Sequence, residues 1–131
     1  MAVRVVRLGT ARLPGEGLRI GTVRRPPRGV PKAQFASGNW YDVWFPVLAP
    51  SVETMKLGQS AGTPAQWNAF ARKYRSEMAE PASAQALDLL AALSRTADFS
   101  VGCYCADEAH CHRSILRELL QDRGAAMADR S

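Results

Sequence analysis

The chain has 131 residues, 47% of them apolar and 22% charged, with a net charge of +5. That length buries one core rather than two, and that composition excludes both a disordered chain and a membrane span. Without a secretory apolar segment after Met1, a cytoplasmic address is the default, and Cys103, Cys105 and Cys111 are expected as thiols or ligands rather than structural disulfides.

Valine-rich Ala2 to Leu8 reads as a first strand, and Gly9 to Gly17 as a loop. Leu18 to Val23 reads as a second strand that runs into Arg24-Arg25-Pro26-Pro27-Arg28-Gly29. Residues 1–32 hold seven arginines and one lysine against the single acid Glu16, a local balance of +7, which leaves −2 for the remainder. Arginine forks suit phosphate and carboxylate. No nucleic-acid module accompanies the charge, so a nucleic-acid-associated basic protein is the third reading of function.

Residues 29–39 read as irregular, and Trp40 to Leu48, interrupted by Pro46, as either a strand or a turn packed on the core. Ser51 caps a short helix through about Leu57. Thr63-Pro64-Ala65-Gln66 opens a second helix as a capping box, followed by an apolar stripe of Trp67, Phe70, Ala71, Tyr74 and Met78, and Pro81 ends it. Ser83 opens a third helix with Ala86, Leu87, Leu89, Leu90 and Leu93 facing inward. Asp98 to Cys105 is the next strand. A last helix buries Ile115, Leu116, Leu119 and Leu120 and stops at Gly124, after which the tail 125–131 is expected to fray. The pattern predicts one α/β domain over 1–131. It is a small three-layer sandwich with a mostly parallel sheet flanked by helices, the first strand beside Asp98–Cys105 at its centre.

The functional candidate is Val101 to Arg113, which gathers all three cysteines, His110, His112, Asp107, Glu108 and Arg113 between a strand and a helix start. Such junctions attract anions, because free backbone N–H groups and the helix dipole converge there. The leading reading is a small anionic ligand held by Arg24, Arg28 and Arg113. Cys105 or Cys111 would be the nucleophile or redox thiol, and His112 or Glu108 the proton carrier. No cofactor is needed on that reading. The alternative is a metal-binding or redox-sensing module, with zinc on Cys103, Cys105, Cys111 and His112, or with Cys105 and Cys111 cycling through a disulfide. The bland reading pairs Arg28 and Arg113 with Asp107 and Glu108 and buries Cys103 as a small core residue. Nucleotide-cofactor, zincin and α/β-hydrolase motifs are absent.

Several stretches carry a resemblance: Arg24 with Pro27-Arg28-Gly29, Trp44 ahead of Leu48-Ala49-Pro50-Ser51, Trp67 with Phe70 and Tyr74, and Cys105, Glu108 and Cys111-His112-Arg113. On these residues the chain resembles, nearly end to end, domain-of-unknown-function family 488, the YeaO-like proteins. It departs from the family pattern at Val23 and Pro26, which replace an acid and a tryptophan. The resemblance implies a compact α/β fold and a pocket between the arginine and cysteine loops. It implies no particular reaction.

Overall fold

The computed structural model describes residues 1–128. Strands β1 (Val3–Arg7), β2 (Leu18–Gly21), β3 (Val43–Trp44) and β4 (Phe99–Cys103) form one sheet in the order β1-β4-β2-β3, every pair parallel. Helices α1 (Val52–Ser60), α2 (Pro64–Met78), α3 (Pro81–Leu93) and α4 (His112–Asp122) complete the α/β fold that the sequence pattern predicts. The first strand and the cysteine-bearing strand are neighbours, with Val3 opposite Phe99 and Arg7 opposite Cys103. β1 nevertheless lies at the sheet's edge. The inner positions go to β2 and to β4, whose five residues are all buried.

Side chains alternate along each strand, and the two faces are built differently. Val3, Ile20, Phe99 and Val101 join buried residues of α2, α3 and α4 in one apolar core. The opposite face carries Arg19 and Ser100, both fully buried, and is roofed by loop. Arg19 Nη1 donates to the carbonyls of Thr10 (2.8 Å) and Asn39 (2.7 Å). Tyr41 lies on the same face against Gly21, where a Cβ would stand 2.4 Å from its ring. Replacing Gly21 by Ala must therefore displace a buried tyrosine. The expected cost is about 1–3 kcal/mol, read as a lower urea midpoint at unchanged m-value.

Local signals place most helix ends. Ser51 accepts from Thr54 N at the start of α1, and Thr63 accepts from Gln66 N at the start of α2. Glu77, from α2, accepts from Ser51 N, Ser51 Oγ and Thr54 Oγ1 and so ties the two helices together. The ambiguous stretch after Trp40 holds both candidates: Val43–Trp44 pairs with β2, and Pro46–Leu48 is a 3₁₀ turn.

Three further expectations are corrected. α3 begins at Pro81 rather than Ser83, because proline is well suited to a first helical turn; Ser83 Oγ instead donates to the Val47 carbonyl (2.8 Å). Leu89 and Leu93 do not face inward but are 62% and 38% exposed. At 100° per residue, Leu89 falls off the stripe of Leu87, Leu90 and Ala91. The tail does not fray at Ala125. Val3 N donates to the Ala126 carbonyl and Ala128 N to that of Val3, both at 2.9 Å, so residues 126–128 satisfy the open edge of β1. Residues 129–131 lie outside the described residues.

Candidate functional site

Because every strand is parallel, the segments after β1, β2 and β4 emerge at one edge of the sheet, where open α/β sheets bind ligands. The cysteine loop is there. Cys103 ends β4 and Cys111 precedes α4; both are buried, whereas Cys105 is exposed, and all three are free thiols. Between them a 3₁₀ turn, Glu108–His110, is capped by Asp107, whose carboxylate accepts from Ala109 N (3.0 Å).

Beside the loop lies a cavity of about 240 Å³. Met55, Gly58 and Phe70 from α1 and α2 form its apolar wall, Val23, Arg24 and Arg25 one rim, and His110 another. Cys103, Cys105, Cys111 and His112 line the inner end. Trp67 stands edge-on to His110 with ring centroids 5.9 Å apart, so the aromatic stripe of α2 serves the site as well as the core.

His112 is the best-determined group. Its Nε2 lies 2.8 Å from the Thr22 carbonyl, an acceptor only, so the ring must donate there. Burial pulls its pKa down to about 4, which keeps the imidazole neutral near pH 7. Its Nδ1 is then an unprotonated acceptor, 3.7 Å from Cys111 Sγ. The ligand atoms of Cys103, Cys111 and His112 all lie within 4.8 Å of one another. Two sulfurs bound tetrahedrally at about 2.3 Å from zinc stand roughly 3.8 Å apart, so small side-chain movements would close this trio on an ion.

The thiols differ sharply in acidity. The neighbouring thiols of Cys103 and Cys111, with the nearby charge of Arg113, hold the Cys105 thiol well below the usual range. Cys103 is pushed up, first by its hydrogen bond to Cys105 and then by burial. The Cys103 thiol beside it pulls Cys111 down, but its pairing with Cys105 and burial outweigh that and leave it above its ordinary value, at about 11. These shifts favour a thiolate at Cys105 with Cys103 and Cys111 as thiols.

The remaining candidates are placed as follows. Arg113 is buried and donates from Nη2 to the Cys105 carbonyl (2.7 Å), holding the loop from behind. Arg24 lines the cavity and donates from Nε and Nη2 to the carbonyls of Pro50 and Ala49. Arg28 is exposed and faces a second cleft instead. Glu108 is gripped by Arg117, with Nε–Oε2 2.8 Å and Nη2–Oε1 3.0 Å. Asp107 pairs with His110 at 2.8 Å. Thr22 and Arg117 were not singled out by sequence reasoning, and Phe70 was read there as part of an apolar stripe rather than as a site residue. Only Arg117 had a signal, standing one helical turn after Arg113 on the same face.

A parallel α/β domain with a cysteine–histidine cluster at the C-terminal end of its central strand defines the class. The sequence model described as the active DUF488-N3 subclade matches residues 3–124, so the chain belongs to the DUF488 family. No curated protein and no solved structure matches it. Among the described residues no helix is long and apolar enough to cross a membrane.

Proposed function

We propose that the cavity is a thiol-dependent active site for a small ligand that carries an anionic group on an apolar body. The observation that supports this most directly is Cys105. It is the exposed thiol of the three, it lines the cavity, and its neighbours hold it as thiolate. Its sulfur would form the bond to the electrophilic atom, while Cys111, kept as a thiol against neutral His112, supplies the leaving group's proton. Met55 and Phe70 would take the apolar body, and Arg24 and the start of α4 would favour the anionic end. The family description, an active subclade, agrees with turnover rather than passive binding. Iodoacetamide at pH 6 should give one adduct, mapped by mass spectrometry to Cys105 and absent from Cys105→Ser. Phosphate or sulfate should slow it. Uniform labelling of all three cysteines would defeat the thiol assignment, and labelling indifferent to anions would defeat the anionic ligand.

A second reading is favoured by the Cys103, Cys111 and His112 trio, with the Thr22 carbonyl orienting the ring as outer partners of metal-bound histidines do. Those residues would hold zinc through two thiolates and Nδ1. Protein grown without chelator should then carry about one equivalent of zinc, lost in His112→Gln. Metal-free protein that takes up no added zinc would remove this reading.

A further inference from the structure

The second cleft, about 640 Å³, opens beside the first and shares Arg25 and Tyr104 with it. Arg7 at the end of β1 and Arg25 and Arg28 after β2 reach it, all three are exposed, and no carboxylate lines it. Trp40 and Tyr104 supply its aromatic surface, edge to face at 5.9 Å. The frame is well held: Tyr104 Oη donates to the Arg25 carbonyl (2.8 Å), and Arg7 Nε donates to the Tyr104 carbonyl (3.3 Å). Gly9, at φ 90°, lets the Trp40 ring lie where a Cβ would be 2.9 Å from it.

We propose that this cleft binds a nucleotide, its phosphate against Arg7, Arg25 and Arg28 and its base against Trp40 and Tyr104. A lone phosphate would not fill the space or use the rings. A cationic groove with aromatic side chains is the arrangement on which single strands stack, because every base has a π-face and every phosphate suits a guanidinium fork. The free molecule and a residue within a strand share this chemistry. That the same ligand then reaches Cys105 past Tyr104 rests on the thiol reading above; the binding itself does not.

The test is fluorescence anisotropy with a fluorescein-labelled oligothymidylate of roughly ten nucleotides, in about 50 mM and 200 mM salt. Thymidine monophosphate and unlabelled oligothymidylate serve as competitors. Saturable binding is expected, weakened at least about tenfold in the Arg25→Ala/Arg28→Ala variant. The log–log salt slope should fall by about 1.4, the value for two lost contacts to a single strand. Arg72→Ala, which removes an exposed charge on α2, should leave binding unchanged. Competition by the monophosphate at similar concentration identifies a free nucleotide, and competition by the oligonucleotide alone identifies a strand. Absence of saturable binding at low salt, or an equal loss in Arg72→Ala, overturns the proposal. Failure of the thiol reading would show separately, as ordinary Cys105 alkylation with nucleotide binding intact.

Discussion

The alkylation rate of Cys105 is expected to change less than about threefold between pH 5.5 and 8.5, where an ordinary thiol speeds up about 500-fold. The sign follows from the neighbours. The neighbouring thiols of Cys103 and Cys111, and the charge of Arg113, favour the thiolate. The reactive form is therefore already complete at the acid end of the window and has nothing to gain as pH rises. The absolute rate at pH 8.5 should be lower than that of a free thiol, because nucleophilicity falls with basicity. Both signatures are needed, since burial alone also slows a thiol but keeps the pH slope. Cys103→Ala and Cys111→Ala each remove a neighbouring thiol that favours the Cys105 thiolate and should restore part of the slope. Arg113→Met should restore less, because charge ranks behind those thiols among the causes. A wild-type rate climbing tenfold per pH unit through this window would sink the assignment of Cys105 as the standing thiolate.

His112 explains why Cys111 does not compete for that role. With Nε2 committed to the Thr22 carbonyl, its Nδ1 accepts rather than donates, so it favours Cys111 as S–H. A protonated imidazole would instead favour a second thiolate. Burial prevents that near pH 7, which divides the labour between nucleophile and proton carrier by position on β4 and α4.

How much of this was legible depends on what each signal measures. The apolar run into Cys103 and the leucine stripe after Arg113 report burial along one element, and β4, α4 and the loop between them fall where the sequence puts them. Alternation along Leu18-Arg19-Ile20 sets Ile20 and Arg19 on opposite faces of β2. It cannot say that the Arg19 face is roofed by loop, since no local pattern records what a distant segment covers. The same gap separates Arg28 from Arg113. Both follow strands, but Arg28 looks into the cleft of Trp40 and Tyr104, while Arg113 is spent on the Cys105 carbonyl. The Thr22–His112 contact spans 90 residues and uses a backbone carbonyl, which no residue type announces. Composition did carry one long-range message. Of the arginines crowding residues 1–32, Arg12 and Arg19 have acid partners, and Arg7, Arg25 and Arg28 gather at one cleft.

Glu16→Ala is expected to cost about 3–5 kcal/mol, because it strands a buried guanidinium. The Arg19 and Glu16 side chains are 0% and 1% exposed, joined by Nε–Oε2 at 2.8 Å and Nη2–Oε1 at 2.9 Å. Ser100 Oγ also donates to Oε2, at 3.1 Å. Without the carboxylate, two N–H groups and a full charge remain in the loop-covered face of the sheet. For a chain of this size that loss should lower Tm by roughly 10–20 °C. An apolar double replacement, Glu16→Leu with Arg19→Met, should recover much of it, since a buried pair removed whole is often nearly neutral. The recovery should be incomplete here, because Arg19 also holds the Thr10 and Asn39 carbonyls, and Trp40 follows directly on Asn39 in the wall of the arginine cleft. Acid gives an independent check. Burial raises the Glu16 pKa, but the bonds from Arg19 outweigh it and leave the carboxyl below its ordinary value. The pair's contribution is thus fully present above the unfolded carboxyl's pKa and is lost as pH falls through the folded one. Wild-type stability should decline more steeply below about pH 4 than that of the double variant. A Glu16→Ala loss under about 1 kcal/mol, or parallel acid limbs, would show that water reaches this pair and that the loop roof is open.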